Sequence, residues 1–357
     1  MADTQSNIVI DIGSGSIKCG FSSEEAPKSC FPNVITKDYT IIGDESLSDL
    51  LHPVEHGIIN KWEEIEKVLQ YTFSNELRVN SDERNVLLSD PPIAPKANRE
   101  KLTQLMFEKF NVQGLFISVQ AILSMYSVGK TTGLLVDSGD DLTNTVPIVE
   151  GYYFPYTVTK ENFGGRAITE YLICLLSQKG LSFDTYKSRK LVREIKEKVS
   201  CIYPDIDNID KDLKVNEMKY ELPDGKEFIV DKERFMCAEA IFKPELMKRE
   251  VPGIQWQIYN SIMKSENEVR KELFSNIILA GGNTLISNYP ERLTVEMQKL
   301  SSSTMLPKVK VIAQSERKYS AWIGGAILAG LSNFQSMWIS HAEYQEAGPQ
   351  IIHRKCL

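Results

Sequence analysis

Two stretches of this chain carry the same order of apolar and polar positions. Residues 8–12 are Ile8, Val9, Ile10, Asp11 and Ile12, followed by a Gly13-Ser14-Gly15 turn and a return through Ile17 to Lys18. Residues 134–137 are Leu134, Leu135, Val136 and Asp137, followed by Ser138-Gly139-Asp140-Asp141 and a return through Leu142 to Thr143. Each pattern predicts a strand, a hairpin turn and a second strand, with one carboxylate where an apolar strand ends.

Around the first copy the pattern alternates between short apolar runs and helical stripes. It predicts a short strand over 39–42, a loop over 53–60 and a helix over 62–75. Asn60 is the expected N-cap of that helix, with Glu63 completing a capping box. A strand over 85–89 ends at the Pro91-Pro92 breaker. Residues 96–109 read as a helix with Leu102, Leu105 and Met106 on one stripe running on to Phe110. A strand over 115–118 and a helix over 120–127 complete this half.

The alternation then restarts. After the second hairpin it predicts strands over 145–149 and 152–159, and helices over 169–179 and 191–199. Residues 203–214 are acidic and polar and read as a surface loop. Residues 220–228 read as two strands joined by a Pro223-Asp224-Gly225 turn. Strands over 276–280 and 308–313 follow, then a buried helix over 321–330. Strands alternating with helices imply covered α/β sheets. The approximate duplication implies two like domains around a cleft.

Composition narrows this picture. At 357 residues, two domains are expected. A net charge of −7 argues against nucleic-acid binding as the main activity. No apolar stretch approaches the ~20 residues of a membrane helix, and the N-terminal residues are polar, without a signal-peptide core. The six Cys show no C-x-x-C spacing and the four His are scattered, so free thiols fit better than a zinc site.

The matched turns suggest chemistry. Glycine lets backbone N–H groups approach an anion closely, so two facing turns can clamp a polyphosphate. Asp11 and Asp137 can then hold a hydrated divalent cation, and Lys18 adds a point charge for the phosphates. Either copy alone reads more readily as an ordinary hairpin with a solvated Asp, and it is the matched pair that points to a clamp. A third turn, Gly281-Gly282 before Asn283, follows an apolar strand and can face the same cleft. Lys196-Glu197 can flank an adenosine or form a solvated helix face. Gln120, at a strand-to-helix junction, can orient a water for in-line attack or serve as a helix cap. Hydrolysis of a phosphoanhydride needs positioning and charge neutralisation above all.

Over essentially its whole length the sequence resembles actin. The segments that carry the likeness are 11–15, Pro53-Val54-Glu55-His56-Gly57, 73–79, 95–101, 137–140 and 145–148. Further along they are 220–225, 316–320, Trp322-Ile323-Gly324-Gly325, 337–340 and 352–356. The resemblance implies an α/β, actin-like ATPase fold. It has two duplicated RNase H-like domains, each with a small subdomain, and ATP or ADP with Mg²⁺ (or Ca²⁺) in the central cleft. By position, residues 1–32, 53–127 and 320–357 would form one subdomain and 33–52 a second. Residues 128–163 and 250–319 would form a third, and 164–249 a fourth.

The resemblance also assigns roles. Asp11 and Asp137 would hold the metal, mostly through water. Gly13, Ser14, Gly15, Lys18, Ser138, Gly139 and Asp140 would hold the phosphates. Gly165, Lys196, Glu197, Gly281, Gly282, Asn283 and Lys318 would complete the nucleotide site. Gln120 and Asn144 would order the attacking water, and His56 matches a histidine often methylated in actins. Tyr126, Thr131, Leu328, Leu331 and Phe334 match the groove that takes helices of actin-binding proteins. Implied partners are actin or actin-like subunits. The implied location is the cytoplasmic cytoskeleton, with the nucleus also open.

Departures qualify that pattern. The segment between Asn33 and Gly43 is much shorter than the actin loop that enters the next filament subunit. Residues 246–251 carry Lys248, Arg249 and Glu250 where actin has an apolar plug, and unpaired charges are costly at a dry contact. Only Asp3 is charged before Asp11, which weakens the expectation of myosin engagement. Asp141 replaces a glycine, where its carboxylate can repel the γ-phosphate and restrict the turn. Asn144 replaces a histidine, and Ile286 a tyrosine beside the adenine. The expected function is an ATP-binding actin-like protein with slow hydrolysis and impaired self-polymerisation, acting with actin or in an assembly. Alternatives are a filament-forming divergent actin, or a sugar kinase-type enzyme using Asp141 as base.

Overall fold

The computed structural model describes residues 6–203, 218–221, 225, 227–301 and 308–356. The expected surface loop at 203–214, apart from Tyr203, and most of the 222–226 turn lie outside the described residues.

The strands are β1 (Ile8–Ile12), β2 (Ser16–Phe21), β3 (Ser29–Pro32), β4 (Ile35–Thr36), β5 (Leu50–Leu51), β6 (Val54–Glu55), β7 (Ile58–Ile59), β8 (Asn85–Asp90) and β9 (Gly114–Val119). They continue with β10 (Gly133–Ser138), β11 (Thr143–Ile148), β12 (Thr159–Glu161), β13 (Met218–Glu221), β14 (Glu227–Val230), β15 (Ile277–Ala280), β16 (Val311–Ile312) and β17 (Ile339–Ser340). Two sheets dominate, ordered β17-β9-β8-β1-β2-β3 and β12-β11-β10-β15-β16.

The internal repeat is real at the level of strand pairing. β1 is antiparallel to β2 and parallel to β8; β10 is antiparallel to β11 and parallel to β15. Registers correspond as well: Asp11 lies opposite Lys18, and Asp137 opposite Asn144. Both central strands are apolar up to the carboxylate because both faces of each sheet are covered. One core gathers Ile8, Ile10, Leu87 and Leu88 with Trp322. A second gathers Val136, Leu279, Ile258 and Phe274.

The helices relevant to the cleft are α1 (Trp62–Tyr71), α2 (Lys96–Glu108), α3 (Gln120–Ser127), α4 (Gly165–Ser177) and α5 (Tyr186–Val199). α3 begins at Gln120 as expected. α1 does not use the expected cap. Residues 53–60 form a hairpin with His56 and Gly57 at φ 51° and 76°, a type I′ turn. Asn60 and Lys61 N–H groups both donate to Pro53 O, so Asn60 closes the hairpin and Lys61 becomes the N-cap without a side-chain bond. The turn after Tyr71 continues as a π-helix, Thr72–Leu77.

Two predicted strands are also corrected. Residues 39–42 form no strand, since Tyr39 takes φ 61° and only Ile42 bridges to Ile35. Residues 152–159 are broken by Pro155 into a 3₁₀ turn, Pro155–Thr157, before β12.

The helix Ser320–Gly330 is buried on one side only, because Ile327 is 47% exposed. Its buried side crosses α3 at a position that only glycine fits. A Cβ on Gly324 would lie 1.7 Å from Leu123 O. Backbone cannot retreat as a flexible side chain can. We expect Gly324→Ala to cost at least about 3 kcal/mol, the upper end of the overpacking range, despite alanine's better helix propensity. Thermal unfolding checks this, and an unchanged midpoint would show that the crossing adjusts.

Candidate functional site

The matched registers place both hairpin turns at the same end of their sheets, facing each other. Each turn closes with the same backbone bond: Gly13 N–H to Ser16 O at 3.1 Å, and Gly139 N–H to Leu142 O at 2.9 Å. The turns meet at Gly15, where a Cβ would come within 2.5 Å of Asp140 Cβ. The third turn joins them. Gly281 takes φ 84°, and a Cβ there would lie 2.2 Å from Ser138 O and 2.5 Å from Asp137 Oδ1. Positive φ and close approach both require glycine here.

These turns enclose a cavity of about 580 Å³. All but one of the expected site residues line it. Asp11, Gly13, Ser14, Gly15 and Lys18 come from the first hairpin; Gln120 from α3; Asp137, Gly139, Asp140 and Asn144 from the second. Gly165, Lys196, Glu197, Gly281, Gly282, Asn283 and Lys318 complete the wall. Ser138 sits behind it, buried, with its hydroxyl shared with Thr143 Oγ1 at 2.8 Å and accepting Asn283 Nδ2–H at 3.0 Å.

Equivalent carboxylates have unlike surroundings. Asp11 is buried and fully engaged. Ser89 Oγ–H donates to its Oδ1 at 2.6 Å and Gln120 Nε2–H at 2.9 Å, while Lys18 Nζ donates to Oδ2 at 2.9 Å. Burial alone would raise its pKa. The Lys18 charge and these hydrogen bonds outweigh burial and hold it below the usual carboxylate value. Asp137 has no hydrogen bond or ion pair among the described residues, because Asn144 replaces the lysine at the corresponding register position. Burial, then repulsion from Asp11, pushes its pKa up to about 6. An unpartnered carboxylate beside a second one, facing a polar cavity, is a donor set that fits a divalent cation. Among the described residues no group of three or more His, Cys, Asp or Glu could hold a metal. These two carboxylates would therefore need water or phosphate oxygens to complete the coordination, as magnesium prefers.

Nucleotide-facing polar groups fit as well. Asn283 Oδ1 is buried without a partner among the described residues, and three glycine turns line the cavity. Lys196 and Glu197 divide: Lys196 is buried, donating to Gly165 O at 2.8 Å, and Glu197 is exposed at the mouth. Burial lowers the Lys196 pKa against the pull of Asp140. Gln120 spends its Nε2–H on Asp11, Ile12 O and Ser89, which leaves Oε1 to accept a hydrogen bond from a water.

Asp141 differs from its expectation in the backbone alone. It is absent from the positive-φ residues, so the turn carries no αL strain there. Its side chain lines the cavity, with Oδ2 accepting from His56 N–H at 2.7 Å and lying 3.1 Å from His56 Nδ1.

Arg193, Arg317 and Leu285 are among the wall residues that the pattern did not single out. Arg193 lines the cavity from α5, three residues before Lys196 and hence on the same helix face. Arg317 and Leu285 flank the third turn. Ser89 lies behind the wall, at the end of β8, where a polar residue closing an apolar strand marked the Asp11 neighbourhood. In the groove expected to take partner helices, Thr131 and Leu331 are exposed, and Tyr126 and Leu328 half-buried. Phe334 is buried against Phe116 and Trp338 and belongs to the core.

Two sheets built from one repeated hairpin unit, with the paired turns facing across a cleft, agree with the actin-like ATPase fold. A family model described as Actin matches residues 2–357, essentially the whole chain, and the chain belongs to the actin family, whose members bind nucleotide and a divalent cation.

Proposed function

We propose that this protein binds ATP with a divalent cation in the cleft, hydrolyses it slowly, and acts with actin or within an assembly, with impaired filament formation of its own. The observation that carries the nucleotide reading is the asymmetric carboxylate pair, with Asp11 neutralised by Lys18 and Asp137 left free. Bound cation supplies positive charge to the phosphates. Asp11 and Asp137 would hold it, the glycine turns would cradle the phosphates with backbone N–H groups, and Lys18 would add its charge. Gln120 Oε1 would orient the attacking water. Asn144 lacks a proton acceptor titrating near neutral pH, which supports slow turnover.

Impaired polymerisation is supported by the segment 246–251. Lys248, Arg249 and Glu250 are exposed, and Arg249 is tied to its own half through Asn162 O at 3.0 Å. The filament-forming reading keeps one observation in its favour, the exposed aromatics Tyr152, Phe154 and Tyr156 on one loop. A sugar-kinase reading needs a carboxylate base, and Asp141, which lines the cavity, has one of its two carboxylate oxygens held by His56.

High-speed pelleting with Mg-ATP, with phosphate release followed in the same tube, tests the reading. We expect ATP binding, slow phosphate release and protein in the supernatant. Sedimentation with phosphate release would establish the filament reading. Absence of ATP binding would sink the reading of the cleft.

A further inference from the structure

The short segment between β4 and β5 reaches across the cleft. It is anchored to the first half: Ile42 packs on that core, Tyr39 O–H donates to Glu64 on α1 at 3.2 Å, and Gly43 N–H donates to Val34 O at 2.9 Å. Asp44 Oδ1 accepts from Ser46 N–H at 2.9 Å and from its hydroxyl at 2.6 Å, which makes a tight turn. That turn presents Glu45 to the other half, where its carboxylate pairs with the Arg193 guanidinium. The pair is largely sheltered, with side chains 28% and 16% exposed for Arg193 and Glu45. Arg193 itself lines the cleft cavity beside Lys196 and Glu197. Nearby, His52 is half-buried, close enough to Arg166, Asp140 and Glu45 to feel their charges, and its Nδ1 is buried without a hydrogen bond among the described residues. Lifting the segment would give that nitrogen a water partner. The closed arrangement leaves that nitrogen unsatisfied, a cost that the ion pair opposes.

We propose that Glu45 is a positioning residue for the cleft: by gripping Arg193 it straps the two halves together at the mouth and sets how fast nucleotide leaves. This rests on the cleft being the nucleotide site. Glu45 touches no reacting atom and acts through Arg193. Because a sheltered pair is screened less than a surface pair, the strap can hold at physiological salt yet weaken at high salt.

Two readouts test it on the full-length protein. In the first, the protein is loaded with fluorescent etheno-ATP and Mg²⁺ and chased with excess ATP. Glu45→Gln is expected to raise the off-rate about tenfold with little change in on-rate. Raising KCl to 0.5 M should speed release from the parent and leave the variant nearly unaffected. Asp49→Asn is the control, since it removes the segment's exposed Lys37–Asp49 pair without touching the strap; its off-rate should match the parent. In the second readout, hydrogen exchange without ligand should show faster exchange across 43–51 and α5 in Glu45→Gln but not in Asp49→Asn. Equal effects of the two substitutions, or parental rates in Glu45→Gln, would overturn the proposal. If the parent binds no etheno-ATP, the reading of the cleft fails, and parental hydrogen exchange in Glu45→Gln would then overturn the strap by itself.

Discussion

Asp137→Asn is expected to stabilise the ligand-free protein at pH 7 and to abolish its stabilisation by magnesium. The reason is the direction of the Asp137 shift. Burial and the neighbouring Asp11 raise its pKa from 3.8 to about 6 in the folded protein. A raised carboxylate pKa means that the native state binds the proton more tightly than the unfolded chain does. The ionised group therefore costs stability, and the cost grows as pH rises from about 4 to about 6, then stays constant. Below about 4 both states are protonated and the cost disappears. A shift of about two units corresponds to at most about 3 kcal/mol at neutral pH, trimmed by the water in the open cleft. Asparagine removes that cost and keeps the shape. The same ionised carboxylate is what a cation would neutralise. Thermal unfolding from about pH 3.5 to 7.5, with and without magnesium, measures both effects. Parent and variant should converge below about pH 4 and be fully separated above about pH 6. A variant less stable than the parent at pH 7 without metal would contradict the assignment.

Much of this site is readable from spacing because the two hairpins repeat one pattern in register. Apolar runs ending in Asp11 and Asp137 dictate central strands, and the glycines dictate tight turns. What spacing does not carry is which copy pairs internally. Lys18 and Asn144 occupy the same register position, yet only the lysine can neutralise its neighbour, so chemically equal carboxylates acquire opposite pKa shifts. Local signals also lost to non-local ones. Asn60 and Glu63 spell a capping box, but the 53–60 hairpin claims the Asn60 backbone first. Asp141 lines the cavity as its position suggests, but spacing does not show that His56, 85 positions away in the chain, holds one of its carboxylate oxygens. Arg193 belongs to the wall only through the way α5 packs across the cleft, although its spacing from Lys196 already placed both on one helix face.

The opposite outcome is expected at the first carboxylate. Asp11→Ala should destabilise the protein by about 3–5 kcal/mol, the usual cost of breaking a buried ion pair by removing one partner. Burial alone would lower the Lys18 pKa. Asp11 outweighs that and holds it above the ordinary lysine value, so removing Asp11 leaves a sheltered ammonium with only the raised-pKa Asp137 nearby. Ser89 Oγ–H and Gln120 Nε2–H lose their acceptor in the same step. Asp11→Asn separates these contributions, because its amide oxygen still accepts from Ser89 and Gln120 while the charge pairing is lost. Adding Lys18→Met to Asp11→Ala should recover at least half of the lost stability, since the stranded charge is then gone. Urea midpoints of the parent, both single variants and the double variant measure this. A double variant no more stable than Asp11→Ala would mean that the cost lies in the hydrogen bonds and not in the charge. In that case the contrast between the two carboxylates would arise from geometry alone, and Lys18 would be a phosphate ligand without a structural duty. Recovery would instead mean that the cost lies in the stranded Lys18 charge, so that Asp11 and Lys18 chiefly neutralise each other while Asp137 stays unpaired, and one repeated hairpin yields two chemically different carboxylates in a single cleft.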